Sequence, residues 1–324
     1  MSVPAKPLFN AQMCGAFCFI KISNMARRKF TKTYSNPSCL VALLKSRGLE
    51  VCDERVAMQY LENVGYYRLS AYMYPFLKSP KTQHLYKQGA TFDKVLMLYR
   101  FDKKLRILLL NEIEKIEIAI RGTIMNMTAE QTGDGFWLTN PVHFENPQKF
   151  EETLNLIERE YKKSKDDFIQ HFKNTYVDSF PPAWILGELL TMGSANMVYR
   201  NLKEDRIRKK ISHHFELQPK VFESWLTTLT LVRNSCCHHS RVWNKINFIL
   251  PVMPHRINRP WIVMPVDPRR IYFDICIIKY FLDVISTDND MLSKLRWLFF
   301  VDFPEVDLKA LGFPDGWEME PLWR

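Results

Sequence analysis

The chain has 324 residues, with 45 Lys and Arg against 35 Asp and Glu, a formal net charge of +10 at pH 7, and 47% hydrophobic residues. That composition excludes a disordered or collagen-like chain and supplies enough apolar side chains for a sizeable core, in one large domain or two ordinary ones. Eleven glycines beside 22 Phe, 13 Tyr and 8 Trp disfavour a fold of hairpins and tight turns, so an all-α protein is expected.

The seven cysteines, at 14, 18, 39, 52, 236, 237 and 276, are odd in number and irregularly spaced, which fits a reducing, cytoplasmic location better than a disulfide framework. The apolar run from Met13 to Ile22 is interrupted by Lys21 and falls short of the roughly 18 residues a membrane span needs. One lysine before it and no clear small-residue cleavage site after it argue against a signal peptide. Residues 1–35 therefore read as an N-terminal extension, within which Met25-Ala26-Arg27-Arg28-Lys29-Phe30 resembles a natural start. The positive balance gives mild support for a partner with a phosphate backbone.

Asn36-Pro37-Ser38 predicts a cap for a helix over Cys39 to Ser46, stopped by Gly48, and Asp53 predicts a second cap for a helix through Tyr60, Leu61 and Val64. Lys78 to Gly89 reads as a loop. From Phe92 to Met127, Leu98, Phe101, Leu105, Leu108 or Leu109, Ile113, Ile116 and Ile120 recur at three- and four-residue steps, the pattern of a long core helix. Thr132-Gly133-Asp134-Gly135 ends it, and a second loop covers Pro141 to Pro147. Helices with charged outer faces follow over Phe150 to Tyr161 and Asp166 to Phe172. Pro181-Pro182 opens a segment from Trp184 to Leu202 in which Gly187 and Gly193 predict a kink. A basic helix spans Glu204 to His214, and Pro219 stands in the first turn of the next.

After Pro251, the prolines at 254, 260, 265 and 268 break regular helix and mark a candidate boundary. Residues 270–300 predict one or two apolar helices, and the tail, rich in Trp, Phe and Pro, is expected to pack on its own domain. The organisation expected is an extension over 1–35, a helical domain over 36–250, and a Pro-rich connection with C-terminal helices over 251–324 packed on that core.

The stretch from Leu231 to Asn244 concentrates chemically capable side chains as no other part of the chain does: Arg233-Asn234-Ser235-Cys236-Cys237-His238-His239-Ser240-Arg241-Val242-Trp243-Asn244. At about 100° per residue, Phe222, Trp225, Leu229, Val232 and Cys236 share one face, which is core. Asn234, His238 and Arg241 fall at i, i+4 and i+7 and predict a polar stripe nearly opposite. Arg233 lies roughly 140° from His238 on an ideal helix. Bringing the two together requires a curled arginine side chain, a distorted helix near Ser235, or one site built from two subunits, and a two-fold dimer across this stripe does it most naturally.

A neutral imidazole can take the proton of a ribose 2′-hydroxyl, and a guanidinium can hold the phosphate and stabilise its developing charge. Together they define metal-free RNA cleavage, worth about 10²–10⁴-fold for the base and a comparable factor for the cation. The plainer alternative is a solvated helix face with structural hydrogen bonds. Zinc is disfavoured because Cys236, Cys237, His238 and His239 are consecutive and point in different directions, with no second ligand pair. A thiol nucleophile is disfavoured because Cys236 falls on the apolar stripe. No cofactor is expected.

The motif from Arg233 to Asn244 resembles the signature of the Abi-like family of bacterial abortive-infection proteins, the AbiD and AbiF group. Further likenesses lie in Leu43 to Leu49, Val64 to Tyr72, Tyr99 to Arg106 with Ile116 to Arg121, Pro181-Pro182-Ala183-Trp184, and Gly312 to Trp317, so the resemblance runs from about residue 36 to the end. That family is placed in the HEPN superfamily, an all-helical fold shared with toxin ribonucleases and the nuclease domains of RNA-targeting CRISPR effectors. Its hallmark is Arg-x4–6-His, which Arg233 and His238 match, with Asn234 in the usual polar position after the arginine.

The resemblance implies a HEPN-like helical bundle, metal-independent RNA cleavage, a homodimer around the Arg233–His238 helix, and phage defence, with a regulatory RNA or antitoxin as a further partner and no membrane. It carries a Glu-x3-basic pair onto Glu117 and Arg121, which also fit an ordinary intrahelical salt bridge with Glu114. His239 and Arg241 take supporting roles, and Trp243 and Asn244 packing roles. Arg206, Arg208, Lys209 and Lys210 offer a basic surface for RNA, or a solvated helix. Tyr66, Tyr67, Tyr72 and Tyr74 read either as base-stacking or as core residues. The alternative function is a non-catalytic RNA-binding or antitoxin-like protein.

Overall fold

A computed structural model describes residues 29, 31 and 33–324, and the expectations for residues 1–28 lie outside it. The described chain is all-α: helices and short 3₁₀ and π turns carry the secondary structure, and only isolated β-bridges occur among the described residues. It divides into two compact units, one formed by the chain through Leu105 with Leu298–Val306, the other by Arg106–Trp297 with Asp307–Arg324.

In the first unit, α1 (Pro37–Ser46) starts where Asn36 Oδ1 accepts from the Cys39 N–H, and α2 (Glu54–Tyr60) where Asp53 Oδ1 accepts from Val56 N–H. Each cap satisfies a backbone donor that the first helical turn leaves unpaired. A π turn over Leu61–Gly65 joins α2 to α3 (Tyr66–Met73), with Gly65 at φ +90°. Tyr72 is buried, and its hydroxyl donates to Asp102 at 2.6 Å, so it belongs to the core; Tyr67 and Tyr74 are exposed.

The long helix α4 (Phe92–Thr132) passes from the first unit into the second. Leu98, Phe101, Leu105, Ile113, Ile116 and Ile120 are all buried as the periodicity requires, and of the two candidates at the next position Leu109 takes the core. Phe101 packs its ring on Phe299 and Phe303 of the same unit.

The second unit continues with α5 (Pro147–Lys163), α6 (Asp167–Thr175), α7 (Ala183–Leu186), α8 (Met192–Asn201), α9 (Asp205–His214) and α10 (Pro219–Cys237). The kinked helix expected over Trp184 to Leu202 is two helices separated by a 3₁₀ turn at Gly187–Leu189. The chain turns extended at Leu190, and Thr191 accepts from Ser194 N–H to begin a new helix; Gly187 keeps helical geometry and lies so close to α4 that a side chain there would stand 2.5 Å from Met125 Cγ.

Residues 251–270 contain no regular helix, as their prolines dictate, yet the Trp225 indole donates to Val252 O at 3.0 Å and Val252 N–H to Ser224 Oγ at 2.9 Å. The segment thereby stays bound to α10. Helix α11 (Ile271–Ile285) follows, apolar around nearly its whole circumference and buried accordingly, then α12 (Met291–Arg296). Phe215, Phe222, Trp225, Tyr280 and Phe281 form an aromatic core between α10 and α11. The tail folds back through Phe313 on Tyr272 and Trp323 Nε1 to the Tyr272 hydroxyl, and its aromatic residues are buried in this unit.

Candidate functional site

Helix α10 carries the motif. Phe222, Trp225, Leu229, Val232 and Cys236 are buried along one stripe, as the periodicity predicts, which turns Arg233, Asn234 and Ser235 away from the core centre. The helix ends inside the motif. His238 is its C-cap, keeping the helical bond from its N–H to Asn234 O at 3.0 Å, while His239 turns into the left-handed region at φ +56°. His239 N–H then bonds Cys236 O at 3.1 Å and Ser240 N–H bonds Ser235 O at 2.8 Å, the paired bonds of a Schellman ending. The stripe expected from Asn234 through His238 to Arg241 is therefore cut: Arg241 lies past the reversal and off the helix. Left-handed geometry is usually assigned to glycine, so a histidine there gives no stop signal in the sequence.

Arg233 reaches α4. Its Nε lies 3.3 Å from Glu117 Oε2, with the arginine side chain 29% exposed and the glutamate side chain 11%. Glu117 Oε1 accepts from the backbone N–H of Met192, the first residue of α8, at 2.8 Å. Arg121 makes no pair with Glu117. It donates from Nη1 to Leu190 O at 2.9 Å and from Nη2 to Glu188 Oε2 at 3.1 Å, in the turn leading into α8. The intrahelical salt bridge is thus replaced by two contacts that leave α4: Glu117 serves α10 and α8, and Arg121 serves the 188–190 turn.

His238 and His239 are exposed, and Asn234 and Arg241 are half-buried. The His238 imidazole has no hydrogen-bond partner among the described residues, and neither do the terminal nitrogens of Arg233. Arg233 is bound through Nε to Glu117 and His238 is exposed to solvent, and five residues along an ideal helix set the two positions about 140° apart.

Beyond the helix end the chain folds back. Val242 and Trp243 are buried, fulfilling the packing role expected of the tryptophan. Asn244, at φ +48°, accepts from Arg270 Nη1 at 3.1 Å, and Asn247 donates from Nδ2 to Asp274 Oδ2 at 2.7 Å and from its backbone N–H to Arg269 O at 2.8 Å. Lys245, between the two anchors, brings Nζ to 3.5 Å from Ser235 Oγ. Burial pushes the Asp274 carboxyl up to about 8, against the opposing pull of the Asn247 hydrogen bond and the Lys245 charge. Lys245 and Asp274 carry no signal in the sequence, because the contacts joining them to the motif cross a segment without periodicity.

The basic residues of α9 are mostly matched locally. Arg208 pairs with Asp205, Arg206 lies 3.6 Å from Glu204, and Lys210 lies 2.6 Å from Glu130. Lys209 is exposed without an ion pair among the described residues. The helix therefore presents a nearly neutralised charge pattern. No cluster of three or more His, Cys, Asp or Glu side chains arranged for a metal occurs among the described residues, and no described helix is long and apolar enough to cross a membrane.

The sequence model of the Abi-like protein family matches residues 59–244, more than half of the chain and including every motif residue from Arg233 to Asn244. The chain belongs to the Abi-like family, and that family implies a role in abortive-infection defence. The all-α architecture agrees with the HEPN fold that the resemblance implies. No curated protein and no solved structure matches it.

Proposed function

We propose that the chain is a metal-independent endoribonuclease of a phage-defence or toxin system. The observation that carries this reading is the Glu117–Arg233 pair on helices α4 and α10, five residues before an imidazole exposed at the cap of α10. Glu117 holds Arg233 through Nε and leaves the two terminal nitrogens to fork onto a phosphate. His238 takes the proton of a 2′-hydroxyl, and the freed oxygen attacks the adjacent phosphorus. The 5′-oxygen departs, taking a proton from a water molecule, and leaves a 2′,3′-cyclic phosphate and a 5′-hydroxyl, while the His238 imidazolium returns its proton to solvent. Asn234, one turn before His238, orients the imidazole or the sugar. Because Arg233 and His238 diverge within one chain, a homodimer across α10 supplies each phosphate with the arginine of one copy and the histidine of the other.

Purified protein is expected to cut RNA in EDTA, to spare DNA, and to leave cyclic phosphate ends. His238→Ala is expected to abolish cleavage, and full activity of that variant overturns the reading. The ion pair on Arg233 also favours a second reading, a non-catalytic RNA-binding or antitoxin-like protein in which Arg233 is structural. It requires salt-sensitive RNA binding that survives Arg233→Ala and His238→Ala, with no cleavage by the wild type. The α9 residues Arg206, Arg208, Lys209 and Lys210 serve in either case as a weak peripheral surface for the RNA backbone.

A further inference from the structure

We propose that Lys245 is a phosphate-binding residue of this site, the cation that each chain brings to its own His238. The inference rests on the ribonuclease reading above and adds a residue that the Arg-x4-His pattern does not contain.

The placement is built by three contacts. Asn244 is fixed by Arg270 and Asn247 by Asp274, so the backbone on both sides of Lys245 is tied to α11. The lysine Nζ then reaches Ser235 Oγ at 3.5 Å. Ser235 stands three residues before His238, and His238 keeps its helical backbone bond, so the two side chains are neighbours on one face with Cβ atoms about 5–6 Å apart. Arg233 lies on another face, turned to Glu117.

Charge points the same way. The Glu117 carboxylate offsets the Arg233 cation, so the pair attracts a phosphate only weakly by net charge. Lys245 has no carboxylate within salt-bridge distance among the described residues. Asp274, whose carboxyl feels the Lys245 charge, is buried and carries its proton at neutral pH because burial raises it to about 8. A half-buried ammonium with only a hydroxyl at the outer limit of hydrogen bonding keeps an unspent positive charge. Its location beside His238 fits a phosphodiester oxygen of the RNA.

The test compares wild type, Lys245→Met, Lys245→Arg and His238→Ala by RNA cleavage in EDTA and by binding of a single-stranded RNA across a salt series. Lys245→Met is expected to lower kcat/KM about 10–100-fold, with Lys245→Arg recovering most of it. The slope of log K against log salt should fall by about 0.7, one phosphate contact on a single strand. Unchanged thermal melting of both Lys245 variants separates these effects from misfolding, and if the Met variant melts early Lys245→Gln, which removes the charge and keeps a polar side chain, takes its place. Wild-type cleavage and salt slope in Lys245→Met overturn the proposal while the ribonuclease reading stands. A wild type that binds but never cuts refutes that reading, and the salt slope then decides Lys245 alone. A wild type that neither binds nor cuts refutes both.

Discussion

Glu117 and Arg233, 116 residues apart in sequence, form an ion pair of 3.3 Å between α4 and α10, and the second oxygen of the same carboxylate caps α8 through Met192. One side chain thus fixes three helices around the motif. Glu117→Ala strands a half-buried guanidinium and a buried N–H together, which costs about 2–4 kcal/mol. Glu117→Gln keeps an acceptor for Met192 and loses only the charge, at about 1 kcal/mol. Urea unfolding of the two variants checks the order, and equal losses contradict the shared role.

Asp274 sets a pH dependence of stability. Its folded-state value of about 8 stands above the roughly 3.9 of an unfolded chain, so its contribution is complete below about pH 4 and is lost as pH rises toward 8. The slope approaches about 1.4 kcal/mol per pH unit inside that window. Asp274→Asn preserves an acceptor for Asn247 and should flatten this part of the profile, with the larger stabilisation at pH 8. Melting midpoints from pH 5 to 8 give the answer, and parallel curves for variant and wild type exclude the assignment.

His239 ends α10 in left-handed geometry at φ +56°. A β-branched residue tolerates that conformation poorly and glycine tolerates it freely. His239→Gly is expected to be more stable than His239→Val by about 1–2 kcal/mol, read from chemical denaturation. The opposite order means that the helix does not end at this residue.

Gly312 packs against Arg270, whose Cβ would stand 2.4 Å from an added methyl, and its φ is +93°. Gly312→Ala is expected to cost more than about 1 kcal/mol and to shift Arg270. Because Arg270 anchors Asn244, any ribonuclease activity should fall with it, and unaltered stability removes the basis for this coupling.

The parts of this architecture legible in the sequence are those with local causes. The buried stripe of α10, the capped starts of α1 and α2, and the α4 core positions from Leu98 to Ile120 all follow from period or from one capping side chain. The family resemblance singled out Glu117 and Arg121 as a pair on an earlier helix, whereas the contact from Glu117 to Arg233 crosses between helices and leaves no trace in helical spacing. Helix termination after Cys237 has no marker in the sequence because histidine occupies the place of glycine. The meeting of Lys245, Arg270 and Asp274 is illegible for a different reason: it depends on how an irregular, proline-rich segment returns to α11, and no periodicity encodes a path of that kind.

That return path also sets an order of events during synthesis. The motif helix leaves the ribosome well before Arg270 and Asp274, the anchors on which Asn244 and Asn247 close. A nascent chain that has exposed Arg233 and His238 still lacks the brace that seats Lys245. A helix made later thus finishes the motif end of an earlier one, so a prematurely released chain ending before α11 carries the signature residues without the brace around Lys245.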